Sequence, residues 1–197
     1  MKIKVLIKEE KQILRKSLKL IRSKLDSSFI ESRALAITNK FFNIVDINKF
    51  REVCLYISFA NEVPTKNIIE KLLNKNIKVS APYIIDDHNM TLKYIEDYSK
   101  DINFNTKFGN GEPFAHCKDC NVENVTMFII PALAFDENCN RLGFGRGYYD
   151  NILKENKNAL RIGLSYDYQI LPILPKDDND EILDIIISEN KVITAIF

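Results

Sequence analysis

The chain has 197 residues, 46% of them hydrophobic and 28% charged. That is enough apolar content for a substantial core, without the 18-residue apolar run of a membrane-spanning helix. A formal net charge of +1 excludes the strong basic bias expected if the main partner were nucleic acid or an anionic membrane. Cys54, Cys117, Cys120 and Cys139 are scattered through core-forming sequence, which points to reduced thiols and a cytoplasmic location rather than a disulfide framework.

The charge is unevenly placed. Up to Leu25 there are nine basic and two acidic residues, a local net of +7, which leaves about −6 for the remainder. The apolar run Val5 to Ile7 is too short for a secretory signal, although a basic amphipathic start also suits an organelle transit peptide. From Lys8 to Leu25, Ile13, Leu14, Leu18, Ile21 and Leu25 recur at spacings of three and four, which predicts a helix with these residues as its buried stripe. Ser28 with Glu31 offers a capping box for a second helix ending near Asp46. "EVCLYIS" reads as a buried strand, and Pro64 marks the start of a helix that buries Ile68, Ile69, Leu72 and Leu73.

"IKVSAPY" follows as a second strand, completing a parallel strand–helix–strand unit and favouring the doubly wound α/β class. "MTLKYIED" alternates like a more exposed strand, and residues 105–124 read as a long surface loop. "TMFIIPALAF" is the most apolar strand candidate and delivers "RLGFGRGYYD" at its carboxyl end. "YYDNILKENK" is then helical, and "RIGLS", "DIIIS" and "VITAIF" complete the strands. The expectation is one α/β domain over 1–197, its mostly parallel sheet flanked by helices, with residues 1–46 packing on it as an N-terminal helical segment.

Three of six glycines, Gly143, Gly145 and Gly147, fall within five residues. A strand, a glycine turn and a helix present backbone N–H groups and a helix dipole to a phosphate. The G-x-G-x-G spacing matches neither the dinucleotide nor the Walker pattern, so a tight structural turn and a phosphate cradle both remain open, with Arg141 and Arg146 favouring the cradle. Asp150, in the first turn of the following helix, suits either the helix dipole or a Mg²⁺ ion, which takes one or two carboxylates beside substrate phosphates. Lys11 and Arg15 share a helix face; they could bracket a polyphosphate or simply form a solvated basic face. "HCKDC" suggests zinc through His116, Cys117 and Cys120, but a structural site needs a second ligand pair, and a loop with two ordinary thiols is the better reading.

"KQILR", "SFANEVPT", "GNGEP" and "IIPALAFDENCNRLGFGRGYYD" together resemble the 5-formyltetrahydrofolate cyclo-ligase family from about Lys8 to Glu189. The resemblance implies a fold shared with sugar-phosphate isomerases and CoA-transferases. It also implies ATP-dependent closure of 5-formyltetrahydrofolate to 5,10-methenyltetrahydrofolate, with Mg²⁺, in a monomer that binds neither nucleic acid nor membrane. Carried over residue by residue, it gives Lys11, Gln12, Ile13, Leu14 and Arg15 as nucleotide contacts of the first helix. Arg141, Leu142, Gly143, Phe144, Gly145, Arg146, Gly147, Tyr148 and Tyr149 form the ATP loop. Phe144 to Tyr148 also border the folate, with Arg146 and Tyr148 catalytic. Ile57 and Glu62 contact the pterin, and Glu112 and Pro113 match an "EP" loop of open role. Asp150 and Asp180 are the metal ligands, with Asp184 as the partner of Asp180 and Asp177 as the fallback. Asn140 stands where glycine is common, a place for a left-handed backbone. A non-catalytic folate- or nucleic-acid-binding relative, and an isomerase or transferase of the same superfold, are the alternatives.

Overall fold

The computed structural model describes residues 2–106 and 109–196; Lys107 and Phe108, within the expected surface loop, lie outside the described residues. Helices α1 (Lys2–Ser23) and α2 (Ser27–Ile44) come first, followed by β1 (Glu52–Leu55), α3 (Lys66–Asn74), β2 (Lys78–Ile84) and β3 (Met90–Ile95). A single turn, α4 (Tyr98–Asp101), leads into the two-residue strands β4 (Ile102–Asn103), β5 (Glu112–Pro113) and β6 (Asp119–Cys120). Then come β7 (Met127–Ile130), β8 (Ala134–Asp136), β9 (Arg141–Leu142), α5 (Tyr148–Glu155), β10 (Leu160–Leu164), β11 (Ile170–Leu171), β12 (Ile185–Ile187) and β13 (Val192–Thr194).

The main sheet runs β13-β12-β10-β7-β1-β2-β3-β6. Its five inner strands, β12 through β2, are parallel, while β13, β3 and β6 pair antiparallel at the margins. The inner strands bury both faces, so their side chains divide alternately between two cores. Val53, Leu55, Met127 and Ile129 meet Ile37 and Phe41 of α2 and Ile68, Ile69 and Leu72 of α3. Cys54, Phe128 and Ile130 meet Ile152 and Leu153 of α5 on the other side. From β1 the chain moves outward to β2, then returns to add β7 on the opposite side of β1. That reversal opens a crevice at the carboxyl ends of β1 and β7, the place where open α/β sheets bind ligands.

Five expectations need correction. "TMFIIPALAF" is not one strand: Pro131 has no N–H to donate and ends β7, and β8 turns back on β9 as a separate hairpin that carries the glycine segment. The segment 105–124 contains β5 and β6, so it is tied to the sheet edge rather than a free loop. The cap of α2 is Asp26, which accepts from Phe29 N at 2.8 Å, not Ser28. In the β8–β9 turn the left-handed residue is Cys139 (φ 59°), not Asn140.

The fifth correction places the first helix. Ile13 and Ile21 are 67% and 48% exposed, while Lys11 and Arg22 are buried. Residues 11, 15, 18 and 22 fall on one helical face, and this face, with Leu18 in its middle, turns inward. Leu18 and Leu14 pack against Leu133, Ala134 and Leu142 of the hairpin region. The amphipathic logic holds, but the inward stripe is cationic at both ends.

Candidate functional site

The inward face of α1, the β1–α3 loop and the glycine segment enclose a cleft of about 1210 Å³ at the carboxyl ends of the parallel strands. Lys4, Lys8, Lys11, Arg15, Lys19 and Arg22 line it from the helix, Ile57, Phe59 and Glu62 from the loop after β1, and Arg141 through Asp150 with Asp177 and Asp180 from the opposite wall. Gln12 and Ile13 are exposed and do not line it, because they lie about 100° and 200° around the helix from Lys11. Leu14 serves the apolar seat of the helix instead.

The glycines have distinct tasks. Gly145 (φ +101°) and Gly147 (φ +74°) take left-handed backbone, and Gly147 is the cap residue of α5. A Cβ on Gly145 would stand 3.2 Å from Arg15 Cζ, so glycine here admits the guanidinium, whose Nε donates to Gly143 O at 2.9 Å. Gly143 itself has open space around its would-be Cβ. Gly111, in the "GNGEP" segment, presses its backbone against Ile57 Cγ2. Glu112 accepts from Ile84 N at 3.2 Å and from Asn110 Nδ2 at 3.0 Å, which gives the "EP" loop an anchoring role beside the cleft.

At one end of the cleft the charges interlock. Lys11 Nζ donates to Asp177 Oδ2 at 2.8 Å and to Asp180 Oδ2. Arg141 Nη2 donates to Asp150 Oδ1 at 2.6 Å, and that oxygen also accepts from Glu181 N at 3.2 Å, next to Asp180. Burial pushes the Arg15 guanidinium below its ordinary value, while Asp180, Asp177 and Asp150 pull it back up. Asp184 lies away from this group and accepts from Arg161 N at 2.7 Å; the partner of Asp180 is Asp177, whose N–H donates to Asp180 Oδ2 at 2.9 Å. The donors are all hard carboxylate oxygens, the kind Mg²⁺ takes one or two at a time. Among the described residues no group of three or more His, Cys, Asp or Glu side chains forms a ready metal cage. The set therefore suits a cation that shares its shell with phosphate oxygens. In "HCKDC" Cys120 is buried in β6, and Cys54, Cys117, Cys120 and Cys139 are free thiols.

At the other end Glu62 is buried and paired. Arg22 Nη1 donates to its Oε1 at 3.4 Å and Phe59 N to its Oε2 at 3.1 Å. Burial pushes the Glu62 carboxyl up to about 7, against the pull of Arg22 and the Phe59 amide. Phe144 faces Phe59 with ring centroids 5.7 Å apart, and Arg22 lies 5.1 Å over the Phe144 ring. At the mouth, Arg146 Nη1 donates to Asp87 Oδ1 at 2.8 Å and Tyr148 Oη to Asp86 O at 2.7 Å, tying the glycine loop to the β2–β3 turn.

Two residues escaped the sequence reading. Asp136 is fully buried and accepts from the backbone of Asn138, Asn140 and Leu174, organising the turn that presents the loop. Arg22 was countable from the phase of Lys11 and Arg15, since eleven residues complete three turns.

A doubly wound sheet whose switch-point cleft joins a basic helix, a glycine loop and a buried carboxylate defines a ligand-binding α/β protein with a phosphate-suited end. The model of the 5-formyltetrahydrofolate cyclo-ligase family matches residues 7–189. The probable 5-formyltetrahydrofolate cyclo-ligase of Schizosaccharomyces pombe is 29% identical, with 95% of this chain and 98% of that protein covered. The 5-formyltetrahydrofolate cyclo-ligase of Haemophilus influenzae is 30% identical, covering 87% and 94%. The NMR structure of Aquifex aeolicus 5,10-methenyltetrahydrofolate synthetase superimposes with a TM-score of 0.82 at 27% identity, over 93% of this chain and 92% of that one. The chain belongs to the 5-formyltetrahydrofolate cyclo-ligase family and is an enzyme. Among the described residues no helix is long and apolar enough to cross a membrane.

Proposed function

We propose that this chain, as a monomeric cytoplasmic enzyme of one domain, closes 5-formyltetrahydrofolate to 5,10-methenyltetrahydrofolate at the expense of ATP. The observation that carries this is the single cleft with a cation-rich glycine loop at one end and a buried carboxylate at the other. The formyl oxygen attacks the γ-phosphorus while the bond to the β,γ-bridging oxygen breaks, releasing ADP. The N10 lone pair then adds to the formyl carbon and N10 loses its proton. The C–O bond breaks with its electrons leaving on phosphate, and the carbon ends as the cationic bridge between N5 and N10.

Such a reaction asks mainly for positioning and charge neutralisation. Arg15 and the Gly143 to Gly147 backbone hold the phosphates. Lys11 exchanges one of its two carboxylates for a phosphate oxygen. Asp150 and Asp180 hold Mg²⁺, which when bound neutralises phosphate charge. Arg146 trades Asp87 for the transferring group, and Tyr148 keeps the loop closed under the β2–β3 turn to exclude water. Glu62 accepts the paired N–H donors of the pterin over the Ile57 wall, with Phe144 beside the ring.

The test is the spectrophotometric appearance of methenyltetrahydrofolate from 5-formyltetrahydrofolate. Product is expected only with ATP and Mg²⁺ together; product without ATP, or none with both, would sink the reading.

A further inference from the structure

Arg22 is 3% exposed, and its contacts in the cleft run in two directions. Its guanidinium meets Glu62 at 3.4 Å and stacks 5.1 Å from the Phe144 ring centroid, while its backbone carbonyl accepts from Asn61 Nδ2 at 3.1 Å. The segment 59–62 thus grips Arg22 by main chain and side chain together. Burying an ion pair seldom improves stability over apolar packing, so a buried pair lining a ligand cleft calls for another explanation. A carboxylate offers about four lone-pair positions. Arg22 and the Phe59 amide take one on each oxygen, leaving one on each.

We infer that Arg22 is a positioning residue: its guanidinium, wedged between Glu62 and Phe144, keeps Glu62 an acceptor-only carboxylate aimed into the cleft, with two acceptor positions open to a ligand's paired N–H donors. The identity of that ligand rests on the proposed folate reaction, while the Arg22–Glu62 relation does not. The other titratable groups facing Glu62 are Tyr56, Tyr149 and Tyr166, and burial holds the hydroxyl of each neutral. Arg22 is therefore the one cation among these neighbours that opposes protonation of Glu62. Without its charge the carboxyl keeps its proton to higher pH, and a protonated carboxyl meets a donor with a donor. Ligand affinity then falls on the acid side, and the fall begins at higher pH than in the wild type.

The experiment is a carbon-13 NMR titration of the Glu62 carboxyl, assigned with Glu62→Gln, in wild type, Arg22→Gln and Arg22→Lys, alongside calorimetry with 5-formyltetrahydrofolate and with ATP. In Arg22→Gln the Glu62 midpoint should rise by about one unit or more, and folate binding should weaken about fivefold or more at neutral pH. Alkaline pH should restore that binding, and ATP affinity should stay within about twofold of wild type. Arg22→Lys keeps the charge and should titrate near wild type; it decides the matter if Arg22→Gln does not fold. An unchanged midpoint in Arg22→Gln would overturn the inference, as would a loss of folate binding in either variant that no pH restores. If the wild type binds no 5-formyltetrahydrofolate, the ligand assignment fails while the titration still judges Arg22.

Discussion

At the glycine-loop end of the cleft, two buried cations, Lys11 and Arg141, are shared among three aspartates, and Asp150, Asp177 and Asp180 keep between 22% and 35% of their side chains exposed. At the Glu62 end one cation faces one carboxylate, and each side chain is 4% exposed. Charges in contact with water are cheap to rearrange, because solvent replaces a lost partner. Charges out of water are costly to leave alone. The first end is therefore suited to swap partners when a polyanion and a metal arrive as proposed, and the second to hold one geometry.

Breaking the glycine-loop end at Asp150, the proposed metal carboxylate, should have the largest effect. Asp150→Asn is expected to lower kcat by about a hundredfold to a thousandfold, the scale for losing a preorganised electrostatic group. Arg141 is 8% exposed and loses its ionic partner, so thermal unfolding should also reveal a loss of about 1–3 kcal/mol. Wild-type kcat with unchanged Mg²⁺ dependence would show that Asp150 is not a metal ligand.

Next comes Glu62→Gln, which keeps the shape but must present a donor. Affinity for 5-formyltetrahydrofolate should drop about ten- to a hundredfold, with ATP binding to the free enzyme within about a factor of two by calorimetry. Stability sharpens the contrast. Burial raises the folded-state value of Glu62 to about 7, so the folded protein binds this proton more tightly than the unfolded chain does. The associated stability is present below the ordinary glutamate value and is lost as pH rises toward about 7, by roughly 3 kcal/mol. Denaturant curves across that window should slope downward with pH more steeply in wild type than in Glu62→Gln; parallel slopes would mean that the carboxyl is already ionised throughout.

Lys11→Ala and Arg15→Ala should each raise the KM for ATP about tenfold or more and that for the folate much less. They should differ in stability, since Lys11→Ala strands Asp177 and Asp180 together whereas Arg15 loses a single bond to Gly143 O. Equal effects of both substitutions on the two substrates would argue against a polyphosphate role for this pair. The smallest effects separate the glycines. Gly145→Ala forces a side chain into φ +101° against Arg15, costing about 1–2 kcal/mol, whereas Gly143→Ala should stay within about 0.5 kcal/mol.

The parallel core was legible because the strands 52–55 and 127–130 are nearly continuous apolar runs buried on both faces and Ile68, Ile69 and Leu72 repeat at helical spacing. Lys11, Arg15, Glu62 and the glycine loop were legible as motifs. What the pattern hid was the orientation of α1, because counting only apolar residues as inward assigns Ile13 and Ile21 to the core and Arg22 to solvent. Long cationic side chains bury their stems readily, so a ligand cleft can invert that rule. The choice among Asp177, Asp180 and Asp184 depended on a loop with no periodicity; three-dimensional pairing to Lys11 separates the first two from Asp184.

Ala60 and Asn61 both sit at positive φ, 46° and 61°, and the Asn61 amide holds the Arg22 and Leu25 carbonyls at 3.1 and 3.3 Å. In mechanical terms this contact is the fulcrum of a lever whose arm is α1. Rotation about it moves Arg22 least, Arg15 more and Lys11 and Lys4 most, by roughly 1.5 Å of arm length per residue. A change of loop length between Phe59 and Glu62 would thus be felt at the far, phosphate-facing end of the first helix, without altering any residue there.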